Sequence, residues 1–296
     1  MHYQCKHERI ELTLDETFEG KDLQDFFDRY DLSKKTRYLE LTNGAIELNH
    51  EVTKNPRHQL KPGDLLAIRT PEEPLGFKPA DVECPIVYED DFVYVAHKDR
   101  GLIIHGEYDQ QDTLATQAAA YQANHDINVP VRYIHRLDKD TVGLVLFVKI
   151  PFFQAWFDKQ LSEKKIQRHY YAITTGKAKN GQHFIYNGKI GRDRHVAGKY
   201  RISETGVEAL TRVECVNQKG PYLLMSCQLE TGRTHQIRVH LSNSGHPIVN
   251  DPLYGVPAHL FSGMGLWADE IDFTNPVTGE TCKAVDSENI DFLYFD

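Results

Sequence analysis

Apolar residues recur along this chain with two different periods, and the switch between them marks out its elements. Residues 8–14, Glu-Arg-Ile-Glu-Leu-Thr-Leu, alternate apolar and polar positions as a half-buried strand does. Leu23, Phe26, Phe27 and Tyr30 then fall at helical spacing within residues 21–30. Ser33 is placed to cap a second helix that runs to about Thr42 and stops at Asn43-Gly44. Short strands follow at Ala45–Asn49 and, after the turn Lys61-Pro62-Gly63-Asp64, at Leu65–Arg69. Pro71 to Pro79 carries three prolines and a glycine, the composition of a linker.

Beyond it the pattern changes. Ile86–Tyr88 and Phe92–His97 flank the acidic turn Glu89-Asp90-Asp91 as a hairpin. Asp112–Asn124 suits a helix capped by Asp112, Leu144–Val148 a fully apolar strand, and Phe152–Leu161 a helix presenting Phe153, Trp156, Phe157 and Leu161 on one face. His169–Thr174, Val207–Cys215 and Tyr222–Leu229 are strand-like, the last two joined at Gln218-Lys219-Gly220-Pro221. Runs of strands with few helices between them predict an α+β domain on a mixed, mostly antiparallel sheet with flanking helices. For 296 residues the expected organisation is a small N-terminal α/β domain over 1–70, a linker over 71–80 and a large domain over 81–296.

Composition adds constraints. The five cysteines form no C-x-x-C pair, which points to reduced thiols of a cytosolic protein. The first residues have no apolar core of a signal peptide, and no apolar run is long enough to span a bilayer. The net charge of −9 argues against a nucleic-acid partner, but its distribution reverses that reading. Residues 151–241 hold 15 Lys and Arg against 7 Asp and Glu, while 81–150 hold 6 against 12 and 242–296 hold 1 against 9. Local potential, not whole-chain charge, governs phosphate binding.

The densest chemistry lies at residues 135–143, His-Arg-Leu-Asp-Lys-Asp-Thr-Val-Gly. Asp138 falls on a short turn entering the apolar strand, two residues after Arg136. A carboxylate held on a rigid scaffold beside a guanidinium stays ionised and aimed, as a nucleophilic carboxylate must. Three further stretches are a strand with alternating aromatics, Arg168-His169-Tyr170-Tyr171, a glycine-rich basic loop holding Arg192, Arg194 and Lys199, and Glu230-Thr231-Gly232-Arg233-Thr234-His235-Gln236-Ile237-Arg238. A buried structural tyrosine, a surface hairpin and a surface arginine are the plain alternatives. In the last stretch Thr234 is placed to cap a helix, which puts Arg233 at a helix N-terminus that disfavours cations. Arg233 is therefore expected to answer a carboxylate elsewhere, with Asp138 the candidate. A turn-dense loop, Gly245-His246-Pro247-Ile248-Val249-Asn250-Asp251-Pro252-Leu253-Tyr254-Gly255, completes the set. His235 and His240 lack zincin spacing, and neither a phosphate-binding G-x-x-x-x-G-K-[ST] loop nor a dinucleotide fingerprint occurs. No metal and no nucleotide cofactor is expected.

The motifs HRLDKDTVG, RHYYA, ETGRTHQIRVHL and GHPIVNDPLYG, in this order over roughly residues 81–260, resemble those of the RluA-type pseudouridine synthases. The N-terminal 70 residues are similar, more loosely, to the small αL RNA-binding domain shared with a ribosomal protein. The resemblance implies a cleft in the large sheet and an RNA substrate, ribosomal large-subunit RNA ahead of transfer RNA. It implies that Asp138 attacks the target uridine, Tyr170 stacks on its base, Arg233 pairs with the aspartate, and Arg136 with His135 holds the flipped nucleotide. Ile248 would supply an apolar wall, and Arg192, Arg194 and Lys199 would meet the RNA. The isomerisation needs no cofactor, and a cytoplasmic monomer is expected. Val142, Arg168 and Asn250 depart from the family's usual serine, lysine and glycine. Two other classes compete: a non-catalytic ribosome-assembly factor on the same fold, and a glycosidase-like hydrolase using Asp138 with Asp140, whose side chains, two apart on a turn, would diverge.

Overall fold

The computed structural model describes residues 1–6, 9–106, 112–287 and 291–295. The N-terminal part is a five-stranded antiparallel sheet, with β1 (His2–Lys6), β2 (Arg9–Thr13), β3 (Ile46–Leu48), β4 (Glu51–Val52) and β5 (Leu65–Arg69) in spatial order β1-β2-β5-β3-β4. Glu8, the first residue of the expected strand, lies outside the described residues. Two helices connect β2 to β3. α1 (Leu23–Arg29) starts at a capping box between Asp22 and Asp25, and α2 (Lys34–Thr42) is capped by Ser33, whose hydroxyl accepts the Thr36 N–H.

The large part is one mixed sheet of nine strands: β6 (Ile86–Glu89), β7 (Val93–Lys98), β8 (Val142–Val148), β9 (Gln167–Thr175), β10 (Gln182–Tyr186), β13 (Thr211–Lys219), β14 (Tyr222–Leu229), β15 (Leu266–Thr274) and β16 (Thr281–Val285). Their order is β10-β13-β14-β9-β15-β8-β7-β6, with β16 paired to β15. All pairings are antiparallel except β15 with β8, as the run of strands predicts. β11 (Ile190–Arg192) and β12 (Tyr200–Ile202) form a separate hairpin. The helices are α3 (Leu114–Asn124), α4 (Gln154–Ser162) and α5 (Gln236–Asn243). α3 is capped by Thr113, not Asp112: Thr113 and Thr116 exchange side-chain and backbone bonds, and that reciprocal pair sets the helix start one residue later. β13 starts at Thr211 rather than Val207, because Val207 pairs instead with Ile190 of the small hairpin.

The two parts share a core. Phe26 and Phe27 of α1 and Tyr30 at its C-terminal cap pack on Phe152 and Phe153 just before α4, with Tyr30 to Phe153 centroids 5.1 Å apart, and Tyr3 meets Phe92 edge-on at 4.9 Å. Each buried ring of this kind contributes on the order of 2–3 kcal/mol. Residues 71–80 have no helix or strand, yet they are tied to the large part: Glu73 N–H donates to Asn128, Val131 N–H to Leu75, and Ala80 N–H to Thr116.

Candidate active site

β8 is apolar and buried along its whole length, so the turn that feeds it is held on a rigid support. Within that turn the Thr141 N–H donates to the Asp138 carbonyl at 3.1 Å. Gly143 is required where the turn meets the sheet: its φ is 119°, and a Cβ there would lie 2.1 Å from the Ala268 carbonyl of the parallel neighbour β15. Lys98, at the end of β7, holds the turn from beneath. Its ammonium is fully buried and donates to the carbonyls of Asp99, Leu102 and Lys139 at 2.7–2.9 Å. Burial pushes its pKa down to about 8, opposed by the charges of Asp140 and Asp138. No sequence motif pointed to this lysine; a Lys inside the run Val-Tyr-Val-Ala-His-Lys was the available signal.

Asp138 opens onto a cleft of about 600 Å³, walled by residues of its own turn, α4, β9, the end of β14 and the start of α5. That volume suits a small polar guest such as one nucleotide. Tyr170, buried on the cleft face of β9, and Arg233 line the same cleft, so positions 138, 170 and 233 are brought together as the motifs imply. Burial and the nearby Asp138 raise the Tyr170 hydroxyl pKa, against the lowering effect of Arg168, and the ring stays neutral.

The pairing of Asp138 differs from expectation. Its carboxylate accepts from Arg238 at 2.9 Å, whereas the exposed Arg233 donates its Nε–H to the Glu208 carbonyl at 2.9 Å. The reason is local. His235 takes a left-handed backbone conformation, φ 58°, so α5 begins at Gln236 rather than after Thr234, and no side chain caps it. Gln236 Oε1 instead accepts the Arg233 N–H and the Thr231 hydroxyl. The first-turn cation that the helix dipole disfavours is thus Arg238. It is compensated twice, since its Nε–H and Nη2–H also grip Asp251 at 2.7 and 2.9 Å. Asp251, its side chain wholly buried, further accepts the N–H groups of Leu253 and Tyr254. Two carboxylates raise the Arg238 pKa far above its ordinary value despite burial. Tyr254 lies under the guanidinium, 5.1 Å from ring centre to Cζ. The sequence signal for Arg238 was its place between Ile237 and Val239 in a helix buried from Gln236 through Leu241.

Other expected residues divide. Arg136 is exposed at the cleft rim. His135 lines the wall but is a buried, neutral ring: its Nε2 accepts the Leu146 N–H, and burial together with Arg168 pushes its pKa down to about 3. Ile248 does not line the cleft. It bridges to Thr174 and is buried in the cluster that contains Tyr170, and the apolar lining comes from Leu137, Leu161, Leu229, Ile237 and Leu266. Arg192 and Arg194 are exposed on the β11–β12 hairpin, where the Arg192 Nε–H donates to the Tyr200 hydroxyl. Lys199 stands over Tyr254, and the Tyr200 N–H donates to the Tyr254 hydroxyl, so the basic hairpin is docked beside the site.

The departures have physical accounts. Asn250 takes φ 55°, where asparagine is the best substitute for glycine, and its amide stitches the loop to Ala258, Phe261 and Gly263. Val142 is buried beside Trp267 and Ile173. Arg168 is buried in the wall of the cleft. Among the described residues, His169, Glu270 and Asp272 form a group within reach of one metal ion. His169 leaves β9 on the side opposite Tyr170 and the cleft, and the Lys283 ammonium already bonds Glu270 and Asp272.

Comparisons with known proteins identify the family. The family model for RNA pseudouridylate synthase matches residues 92–243. The uncharacterized RNA pseudouridine synthase YhcT of Bacillus subtilis (strain 168) is 36% identical over 264 residues, covering 86% of this chain and 87% of that protein. Ribosomal large subunit pseudouridine synthase D of Neisseria meningitidis (serogroup A, strain Z2491) is 32% identical, covering 85% and 71%. The structure of human RNA pseudouridylate synthase domain containing 1 aligns at TM-score 0.58 with 23% identity, over 72% of this chain and 86% of that one, which bears on the fold. The α+β sheet with its cleft is the fold of the pseudouridylate synthase domains. The chain belongs to the RNA pseudouridylate synthase family, and it is an isomerase that makes pseudouridine in RNA.

Proposed function

We propose that Asp138 is the nucleophile of this isomerisation and that the substrate is large-subunit ribosomal RNA. What carries the first reading is one arrangement: a carboxylate, one-quarter exposed to the cleft, clamped by a buried guanidinium in a cleft that also holds Tyr170. The target uridine leaves its stack, at a cost of a few kcal/mol, and is held by stacking on Tyr170. Asp138 adds to the substrate, the N1–C1′ bond breaks, the base turns, a C5–C1′ bond forms and the carboxylate is expelled, while the C5 proton passes to water and N1 takes up a proton. Nothing is oxidised and no group other than the C5 proton leaves the RNA, so the reaction runs without a cofactor. Arg238 keeps the carboxylate ionised and pointed. Relatives named for the large ribosomal subunit support the choice of RNA. Residues 1–70 serve as a small RNA-contacting domain, joined through 71–80 to the catalytic domain over 81–296, and the protein works as a cytoplasmic monomer. No helix of the described residues is long and apolar enough to cross a membrane.

The test uses RNA transcripts tritiated at uridine C5. Wild-type enzyme releases tritium from large-subunit transcripts in preference to transfer RNA; the opposite preference would reassign the substrate. Asp138→Asn abolishes release while RNA affinity stays within a few-fold. Retained turnover would remove Asp138 from the nucleophile role, and release of free uracil would indicate hydrolysis instead.

A further inference from the structure

A second guanidinium faces the cleft, and its surroundings are the inverse of those of Arg238. Arg168 sits two residues before Tyr170 on β9, so both side chains leave the strand on the cleft face. Only 8% of Arg168 is exposed. Among the described residues no carboxylate forms an ion pair with it, and its buried Nε–H has no acceptor. Its charge acts on two rings beside it, the neutral Tyr170 and His135. Of the cleft's carboxylates, Asp138 is taken by Arg238, Glu230 by Arg212 and Lys164, and Asp158 by the Gln154 amide. Gly232 lets its backbone lie against the guanidinium, since a Cβ there would fall 3.2 Å from Nη1.

A buried cation without a counter-charge is costly, and proteins keep one where a ligand supplies the missing charge. A neutral uracil carbonyl would leave that charge uncompensated; a phosphate would not, and it matches the planar fork of a guanidinium. Along the strand Arg168 and Tyr170 stand about 7 Å apart, a span that one nucleotide covers from base through ribose to phosphate. We infer that Arg168 binds a phosphate flanking the extruded uridine while that base lies on Tyr170. This rests on the proposed reaction and adds the backbone contact that locks the flipped nucleotide. It gives the lysine-to-arginine departure a meaning: the planar fork holds two phosphate oxygens where an ammonium holds one.

The experiment begins by mapping the uridine that wild-type enzyme converts in unmodified large-subunit and transfer RNA transcripts. The mapped stem-loop is then synthesised with a single uncharged methylphosphonate on the 5′ or the 3′ side of that uridine. At one of the two positions wild type should lose at least about 10-fold in kcat/KM, mostly through KM. Arg168→Met should lose a similar factor on the natural stem-loop and nothing further on the methylphosphonate one; Arg168→Lys should fall between. Thermal unfolding of Arg168→Met should be unchanged or raised, because the guanidinium has no protein partner to lose. If both methylphosphonates reduce wild type and Arg168→Met alike, or if Arg168→Met loses stability as a structural ion pair would, the phosphate role is overturned while the isomerase reading stands. If wild type converts no uridine in either transcript pool, the isomerase reading itself falls, and this inference with it.

Discussion

Arg238 and Arg168 are both buried in the wall of one cleft, yet they are built for opposite purposes. Arg238 is saturated: Asp138 and Asp251 together take three of its donors, and Tyr254 covers its face. With its charge already matched by two carboxylates, such a guanidinium gains little from a further anion, and its work is to fix the geometry of Asp138. Arg168 forms no ion pair with any carboxylate of the described residues, and its charge is completed by what enters the cleft. The difference teaches that burial alone does not distinguish a positioning cation from a recognition cation. The count of anionic oxygens already on it does.

The sharpest way to break this comparison is to remove the saturated member. Arg238→Met strands the carboxylates of Asp251 and Asp138 without their counter-charge, and a stability loss of about 3–5 kcal/mol is expected in urea unfolding. With Asp138 no longer aimed, single-turnover tritium release should fall on the order of 100-fold or more. Arg233→Gln removes one bond from an exposed side chain to the Glu208 carbonyl, so it should cost within about 1 kcal/mol and leave turnover within a few-fold. Equal losses of turnover in the two variants would mean that the ion pair to Arg238 is not the one that matters in catalysis.

That contrast also marks where sequence reading succeeds and where it stops. Ser33 as a cap, the strands at Leu65–Arg69 and Tyr222–Leu229, and the turn at Asp138 were legible, because each depends on residues within a few positions of one another. The partner of Asp138 was not. Arg233 and Arg238 lie five residues apart on one segment, and the choice between them turns on the left-handed backbone of His235, which nothing in its neighbours demands. Asp251 was visible only as part of a turn, since its value comes from an arginine on another element. Ile248 was placed on the cleft by resemblance, but its bridge to Thr174 draws it into the core behind Tyr170. Arg168 stood out only as a departure, because a missing partner can be seen only once every neighbour is in place.

The comparison is sharpened by His135, the neutral ring next to Arg168. Its folded pKa of about 3 lies below the ordinary 6.5, so the unfolded chain binds its proton first as the pH falls. The stability it contributes is complete above pH 6.5 and is lost progressively from there toward pH 3, roughly 2 kcal/mol by pH 5. His135→Asn should flatten that acid limb in urea unfolding between pH 5 and 7. In Arg168→Met the limb should be shallower than in wild type, because removing the neighbouring cation makes a protonated ring less costly. An acid limb that neither variant changes would show that the ring is not held neutral by burial and Arg168.

The smallest expected effect concerns cations that are neither saturated nor buried. Arg192 and Arg194 stand exposed on the β11–β12 hairpin, which is docked at the cleft through Tyr200 and Tyr254. In water such charges gain little from a single phosphate, but each one releases a counterion when it meets RNA. Arg192→Glu with Arg194→Glu should therefore weaken RNA binding several-fold and lower the slope of log affinity against log salt by about one unit per lost phosphate contact. The rate at saturating RNA should be unaffected, because the hairpin's arginines sit outside the Asp138–Arg238 pair. Arg168→Met should instead raise KM with a slope change of no more than about one, since it meets a single phosphate. An unchanged slope in the double charge reversal would take the hairpin off the path of the RNA and leave Arg168, with the rim arginine Arg136, as the backbone contacts of the cleft.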